Sequence, residues 1–547
     1  MNPSSAPAPI SLRALPPTMC AALRTAAQRH PERAALIFYG ATTSYGDLLA
    51  RIERLAAWLH HEGGLERGDR VLLDMQNSPH FVIAYHAVLR AGGVVAPLNP
   101  MSVAQEIEWF VADSGARLAI VGAELAERFA APAAAGLRLV LARYGEALAP
   151  DCPYALPRSI NEGLAAPAPR GAVEWAQALS ETRPPPADRA GADDLAVMPY
   201  SSGTTGRPKA CMHPHSNVVF TALAQAAWYG YGASDVLTAF MPLFHVAGMQ
   251  FSMNGGLAAG ASLVLMTRWD RDLVSPLFVA HGVTGWSAAP PMVMDVLAAS
   301  NFDPRAFTQL RFITGGGSSM PEAVAAELHR RYGLSYVEGY GLSETIAPTH
   351  INPLDRPKRQ CLGVPIQNTQ ARIVDPHTLR NLPQGEVGEI IVAGPQIMRG
   401  YWRRQEADAE VFLERDGVRW LRTGDLGRVD EDGYFFIVDR LKRMISVSGY
   451  KVSPAECEAL LHSHPAVQEC CVVAAPDAHA GEAVKAFVVL REGFSLTAAE
   501  LSDWARGAMA AYKIPRRVAF VASLPRSGSN KIDWRALQDA EWAEAQR

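Results

Sequence analysis

The segment Tyr200-Ser201-Ser202-Gly203-Thr204-Thr205-Gly206-Arg207-Pro208-Lys209 carries the densest concentration of chemistry in the chain. Its small residues let backbone N–H groups approach phosphate oxygens, four hydroxyls add donors, and Lys209 adds a positive charge. It is not a Walker loop, because Arg207 and Pro208 separate Gly206 from Lys209 and the proline interrupts the expected helix start. A flexible surface turn would show the same residue types. Gly315-Gly316-Gly317-Ser318 follows the apolar run LRFIT, and Glu338-Gly339-Tyr340-Gly341-Leu342-Ser343-Glu344-Thr345 follows LSYV. Both fall at the carboxyl end of a predicted strand, where α/β sheets bind ligands.

Loops of this kind need strands and helices in alternation to hold them. From Ala34 to Val121, short apolar runs (RVLLDM, GVVAPL, RLAIV) alternate with amphipathic stretches such as YGDLLARIERLAAWLHHEG, which predicts a doubly wound parallel α/β sheet. A second α/β stretch runs from about Leu195 to Gly341, with strands expected at LAVMPY, ASLVLM, GVTGWSAA and LRFIT. Between the two, Ala131 to Asp194 is rich in Ala and Pro and reads as surface connections. After Cys361 the rhythm changes to ARIVD, GEIIVAG and a hairpin turning at Asp432-Gly433, an antiparallel barrel or sheet. Beyond the stretch Asp439 to Lys442 about 105 residues remain, enough for a separate small α+β domain. The expected division is residues 1–438, a junction at 439–442, and 443–547.

Length and charge exclude other classes. A chain of 547 residues exceeds one small domain and predicts about three to four folding units. With 51 basic and 55 acidic side chains the net charge is −4, so no general field would hold nucleic acid or an anionic membrane, and any phosphate must be bound locally. The seven cysteines are scattered without a C-x-x-C pair, which fits a reduced, cytoplasmic setting. Neither a secretion signal nor an apolar run of about 18 residues is found, so no membrane span is expected.

The loop SSGTTGRPK closely resembles the phosphate loop of the adenylate-forming superfamily, which includes acyl-CoA synthetases, non-ribosomal adenylation domains and beetle luciferases. GGGS and EGYGLSET match that family in order and spacing, as do Trp420-Leu421-Arg422-Thr423-Gly424-Asp425-Leu426-Gly427, Asp439-Arg440-Leu441-Lys442 and Leu524-Pro525-Arg526-Ser527-Gly528-Ser529-Asn530-Lys531-Ile532. The amino half (SYGDLLARIERLAAWL, GDRVLLDMQNS) extends the resemblance over most of the chain. It implies a large domain of two doubly wound sheets plus a β-barrel, and a small mobile α+β domain turning about Lys442. It also implies that ATP, Mg2+ and coenzyme A are bound, with Ser201, Ser202, Gly203, Thr204, Thr205 and Gly206 around the phosphates. Gly315, Gly316 and Gly317 would line the adenine and acyl sites, Tyr340 would stack on adenine, and Gly341 and Thr345 would belong to the nucleotide site. Glu344, with Thr204, would hold Mg2+, which ordinarily takes one carboxylate plus phosphates. Asp425 would accept from the ribose hydroxyls, Arg440 would contact the nucleotide, Gly449 would contact coenzyme A, and Lys209 and Lys531 would act in adenylation. Taken singly, Asp425 reads equally as a turn residue, Glu344 as a helix-start charge and Lys531 as a solvated lysine.

Departures from the family pattern are Asn530 in place of Gly before the terminal lysine, Ala210 after the loop lysine, and Asp439 before the hinge arginine. Met241-Pro242-Leu243-Phe244-His245-Val246-Ala247-Gly248 offers no carboxylate where amino-acid-activating relatives place one, and a buried ammonium left unpaired costs several kcal/mol. The P-L-F-H-x-x-G form resembles acyl and aryl CoA ligases, in which His245 would close over the substrate carboxylate; a core histidine is the plainer alternative. The resemblance therefore implies an acid–CoA ligase acting on a small-molecule carboxylic acid, a medium or long fatty acid before an aryl acid. Loading of a carrier protein and a nucleotide-binding protein without turnover are the remaining alternatives, and a homodimer is compatible with each. Glu456, in Ser453-Pro454-Ala455-Glu456, is expected to cap a helix, and Cys470-Cys471 to pack on opposite faces of a strand.

Overall fold

The computed structural model describes residues 7–188, 190–201, 208–317, 320–447, 450–477, 481–509, 513–527 and 531–545. The chain forms two compact units, one of residues 1–371, 392–421 and 432–434, the other of residues 372–391, 422–431 and 435–547.

The first unit contains two large sheets. In the seven-stranded sheet the order is His213–Pro214, Leu195–Val197, Val94–Pro97, Arg70–Asp74, Leu118–Gly122, Arg138–Ala142 and Val173–Glu174, parallel except for the first strand. The nine-stranded sheet runs Val364–Pro365, Ala347–Ile351, Tyr336–Leu342, Phe312–Gly316, Gly285–Ser287, Val236–Ala239, Ser262–Leu265, Ala34–Phe38 and Ala41–Ser44. The two α/β stretches of the sequence thus exchange strands: Ala34–Phe38 pairs with Ser262–Leu265, and Leu195–Val197 with Val94–Pro97. Ala131 to Asp194, expected as surface connections, also supplies sheet strands. Arg138–Ala142 pairs along its whole length with Leu118–Gly122, because its apolar alternation (RLVLA) buries on both faces like any parallel strand.

Helix ends follow local chemistry. Tyr45–His61 starts where Ser44 accepts from the Asp47 N–H at 3.1 Å, and it buries Leu48, Ile52, Leu55 and Leu59 on one face. Pro79–Arg90 starts with Ser78 as cap and Pro at its first position; residues 79–89 are buried on every face, as an interior helix requires.

In the second unit, Val467–Asp477 and Gly481–Leu490 form a long antiparallel pair, with Arg517–Phe520 parallel to the latter. Cys470 packs with Val472, Val484 and Leu461 on one side, while Cys471 packs with Val473, Phe487 and Leu524 on the other, as the alternation predicts. The cap of Pro454–His462 differs from the expected reciprocal box. Ser453 does accept from the Glu456 N–H at 3.2 Å, but the Glu456 carboxylate pairs with Lys513 at 2.5 Å. Asp439 takes part instead: its buried carboxylate accepts from Ser453 Oγ at 2.6 Å, from the Ala455 N–H at 3.0 Å and from its own Arg440 N–H at 2.7 Å. The residue that departs from the usual glycine is therefore a helix cap reached from 14 residues upstream.

Asp74 ends a central strand with no exposed surface and no hydrogen-bond partner among the described residues. Burial pushes its pKa up to about 8, opposed by the Arg128 charge and aided less by the Glu124 carboxylate. Because the folded pKa lies above the unfolded one, this group's contribution is fully present below about pH 4 and is lost as pH rises toward 8. Denaturant unfolding should show Asp74→Asn gaining on the parent by at least about 1 kcal/mol more at pH 8.5 than at pH 4. A gain independent of pH would contradict this account.

Candidate functional site

The strands Val236–Ala239, Gly285–Ser287, Phe312–Gly316 and Tyr336–Leu342 are parallel, so their carboxyl ends share one edge of the nine-stranded sheet. After Val236–Ala239 the chain continues to a neighbour on one side, then crosses back to build the sheet on the other, which makes this edge a topological switch point. The segments leaving it carry His245, Gly315 to Gly317, and Tyr340 to Thr345. A side chain at Gly315 would collide with the Ala288 carbonyl oxygen, one at Gly316 with that of Gly339, and one at Gly341 with that of Ala347. These glycines are required by the close approach of backbones, whatever else binds there.

Among the other residues singled out from sequence, Tyr340 is buried with its ring 5.7 Å from that of His350. The hydroxyl of Thr345 accepts from the Leu342 N–H at 2.9 Å and donates to the Ala347 carbonyl at 2.7 Å, holding the turn in which Ile346 and Ala347 have positive φ. His245 is half-buried, and its Nδ1 accepts from the Ala247 N–H at 3.2 Å. Glu338, not assigned a role from sequence, is a buried carboxylate accepting from the Met320 N–H at 2.8 Å and the Cys361 N–H at 2.6 Å; burial raises its pKa against those bonds.

The described ends of the phosphate-loop candidate pair with each other in antiparallel fashion. Lys209 pairs with Ser201 and Ala210 with Tyr200. Ser202, Gly203, Thr204, Thr205 and Gly206 lie outside the described residues, as do Ser318, Gly449 and Asn530. Ala210 is buried with Val94 and Met198, where a methyl group packs. This short pair is anchored by Asp113, which accepts from Tyr200 Oη at 3.1 Å and Arg404 at 2.5 Å, while its carbonyl accepts from Trp402 Nε1. Next to it, Met212 and Ala210 exchange backbone bonds with Arg399, Gly400 and Trp402. This pairing brings Tyr401 between two predicted residues: its hydroxyl donates to Glu344 Oε1 at 2.7 Å, and Lys209 Nζ lies 5.1 Å from its ring centre. Sequence reading missed Tyr401 and Asp113, because neither stands in a glycine-rich or charged motif.

In the second unit Asp425 and Arg440 are directly opposite in an antiparallel pair, and Arg440 Nε lies 2.8 Å from Asp425 Oδ1. Asp425 has no exposed surface, whereas the guanidinium is nearly half open. Beside them the buried Glu389 accepts from Arg422 at 2.7 Å and from the Gly424 N–H at 3.1 Å, fixing the turn before Asp425. Lys531 is held by a backbone bond from Ser527 N–H to its carbonyl at 2.7 Å, next to the bridge between Arg526 and Ile532. Although the residue as a whole is exposed, its ammonium is set among protein atoms. Burial first, then the Arg440 charge, lowers its pKa, and Asp425 opposes them. Lys531 thus shares one neighbourhood with Asp425 and Arg440, which lie roughly a hundred residues earlier in the chain.

Residues 23–402 match the family described as AMP-binding enzyme, and residues 456–531 match the AMP-binding enzyme C-terminal domain. A long-chain-fatty-acid–CoA ligase of Bacillus subtilis (strain 168) is 33% identical over 537 residues, covering 96% of this chain and 94% of the relative. A feruloyl-CoA synthase of Amycolatopsis sp is 34% identical over 510 residues, covering 92% and 95%. The ATP-bound crystal structure of MatB from Rhodopseudomonas palustris superposes with a TM-score of 0.82 at 29% identity, covering 96% of this chain and 98% of that one. The chain belongs to the AMP-binding enzyme family, in the acyl-CoA synthetase branch of the adenylate-forming superfamily.

The donor set also bears on magnesium. Among the described residues there is no group of three or more His, Cys, Asp or Glu that would cage a metal. A single oriented carboxylate, Glu344, suits a cation that keeps phosphate and water ligands.

Since the Lys531 ammonium is disfavoured, its proton is lost at lower pH than from an ordinary lysine, and the alkaline limb of kcat/KM for ATP should fall early. Arg440→Met removes the second cause, so whatever its effect on rate, the limb should move to higher pH. A limb that stays in place or moves down would contradict the assignment.

Proposed function

We propose that this chain activates a carboxylic acid with ATP to give acyl-AMP and pyrophosphate, then transfers the acyl group to coenzyme A with release of AMP. In the first half, a substrate carboxylate oxygen attacks the α-phosphorus and pyrophosphate leaves; in the second, the thiolate attacks the acyl carbon and the C–O bond to AMP breaks. No enzyme nucleophile is needed. Lys209 and Lys531 stabilise the charge that gathers on the phosphorus oxygens, Asp425 accepts from the ribose hydroxyls, and Arg440 contacts the nucleotide. Tyr340, the glycines 315 to 317 and the hydroxyls of Ser201 to Thr205 surround adenine and phosphates. Glu344 with Thr204 would hold magnesium, which would supply neutralisation of phosphate charge. His245 closes over the acid's carboxylate end. The small domain turns at Lys442 between the halves, bringing Gly449 to coenzyme A. The observation that carries this reading is the shared neighbourhood of Lys531, Arg440 and the buried Asp425, a cationic pair beside a ribose-type acceptor.

For the acid we favour a medium or long fatty acid, supported by the similarity to the Bacillus long-chain ligase and by the apolar residues Val246, Ala247 and Met249 after His245. An aryl acid is the second reading, and one observation favours it. The Phe251 ring tip lies 3.6 Å from where a Gly339 side chain would start, and Tyr229, Tyr231 and Phe312 stack on one another nearby. Such rings accept a flat substrate more readily than a long tail.

Pyrophosphate release across straight-chain, aryl and amino acids, with and without coenzyme A, separates these readings. Fatty acids should support release and form thioesters, and amino acids should not. Release with aryl acids alone would transfer the assignment to the second reading. Lys531→Ala should lose at least about 100-fold in acyl-AMP formation while still binding ATP. Unchanged turnover would overturn its role.

A further inference from the structure

We infer that Tyr401 is a positioning residue for the nucleotide half of the site, its hydroxyl fixing the rotamer of Glu344 and its ring seating Lys209. The inference rests on the proposed roles of Glu344 and Lys209 and extends them to a residue outside every motif discussed above.

Three observations carry it. Tyr401 Oη donates to Glu344 Oε1 at 2.7 Å, and Lys209 Nζ lies over the same ring at 5.1 Å. The ring is itself immobilised: Tyr401 is buried, forms an antiparallel bridge with the fully buried Cys211, and its N–H donates to Asp408 Oδ1 at 2.7 Å. Glu344 is held a second way, its carbonyl accepting from the Met398 N–H at 3.0 Å, so the segment from Met398 to Tyr401 fixes both its backbone and its side chain.

A carboxylate offers about four acceptor sites, so one phenol bond orients it while leaving capacity for a cation. A glutamate side chain has three rotatable bonds, and without the phenol it would have to be ordered when metal and nucleotide arrive. The ring does different work. A cation over an aromatic face is attracted without being neutralised, which keeps the Lys209 charge available to a phosphate. Phenylalanine at this position would keep the second effect and lose the first, whereas leucine would lose both.

The test uses the full-length enzyme and two readouts: calorimetric binding of ATP with Mg2+ and in EDTA, and the Mg2+ concentration giving half-maximal pyrophosphate release with the best acid. Tyr401→Phe should require about tenfold more Mg2+ and bind ATP in EDTA like the parent. Tyr401→Leu should show the same metal defect and, in addition, bind metal-free ATP about threefold more weakly or worse. Melting curves establish that both variants are folded; should Leu fail to fold, Phe alone decides. A Phe variant with parental Mg2+ dependence would overturn the inference, as would one weakened equally with and without metal. If instead the parent binds ATP without any Mg2+ dependence, the metal role of Glu344 is what fails, and the inference fails with it.

Discussion

Backbone at the carboxyl edge of the nine-stranded sheet is packed so closely that Gly315, Gly316 and Gly341 have no room for a methyl group against the carbonyls of Ala288, Gly339 and Ala347. Everything at the first unit's site depends on that approach. It brings the segments after three neighbouring parallel strands into one crevice, and it sets the turn whose strained residues, Ile346 and Ala347, are held by the Thr345 hydroxyl. Glu344 projects from that turn, and its position is meaningful only because the turn is rigid. The buried Glu338 serves the same end, tying the strand to the Met320 and Cys361 N–H groups on either side.

In the second unit the governing term is charge. A carboxylate without exposed surface, Asp425, is stable as an anion only with a partner, and the strand register supplies Arg440 opposite it. Since that guanidinium is nearly half open, the pair contributes less than a buried one would, and it remains available to a ligand. Burial first, then the Arg440 charge, lowers the Lys531 pKa, and the Asp425 charge opposes them. Such a lysine carries its proton less firmly than a solvated one and is held where a negative group would restore it. That state suits the transition-state role proposed for Lys531.

Local periodicity made much of this legible. The strand and helix rhythm, the opposite packing of Cys470 and Cys471, and the hairpin turning at Asp432-Gly433 follow from patterns a few residues long. What escaped were relations set by distant partners. The exchange of Ala34–Phe38 and Leu195–Val197 between the sheets leaves no trace in either strand, since both are plain apolar runs. Arg138–Ala142 was hidden by the Ala and Pro around it. Asp439 caps a helix 14 residues away, replacing a reciprocal bond that Ser453 and Glu456 alone would suggest. Tyr401 acquires its role only when Met398 to Trp402 pairs beside Ala210 to Met212. The candidate chemical groups were visible as residue types, and the groups that orient them were not.

The central claim is that an acid oxygen attacks the α-phosphorus and leaves with AMP. It is tested most directly by running the reaction with an acid labelled with 18O in both carboxylate oxygens, in the presence of ATP and coenzyme A, and weighing the nucleotide product. The account predicts AMP carrying one 18O atom. Unlabelled AMP, or label in orthophosphate with ADP as the nucleotide product, would contradict it.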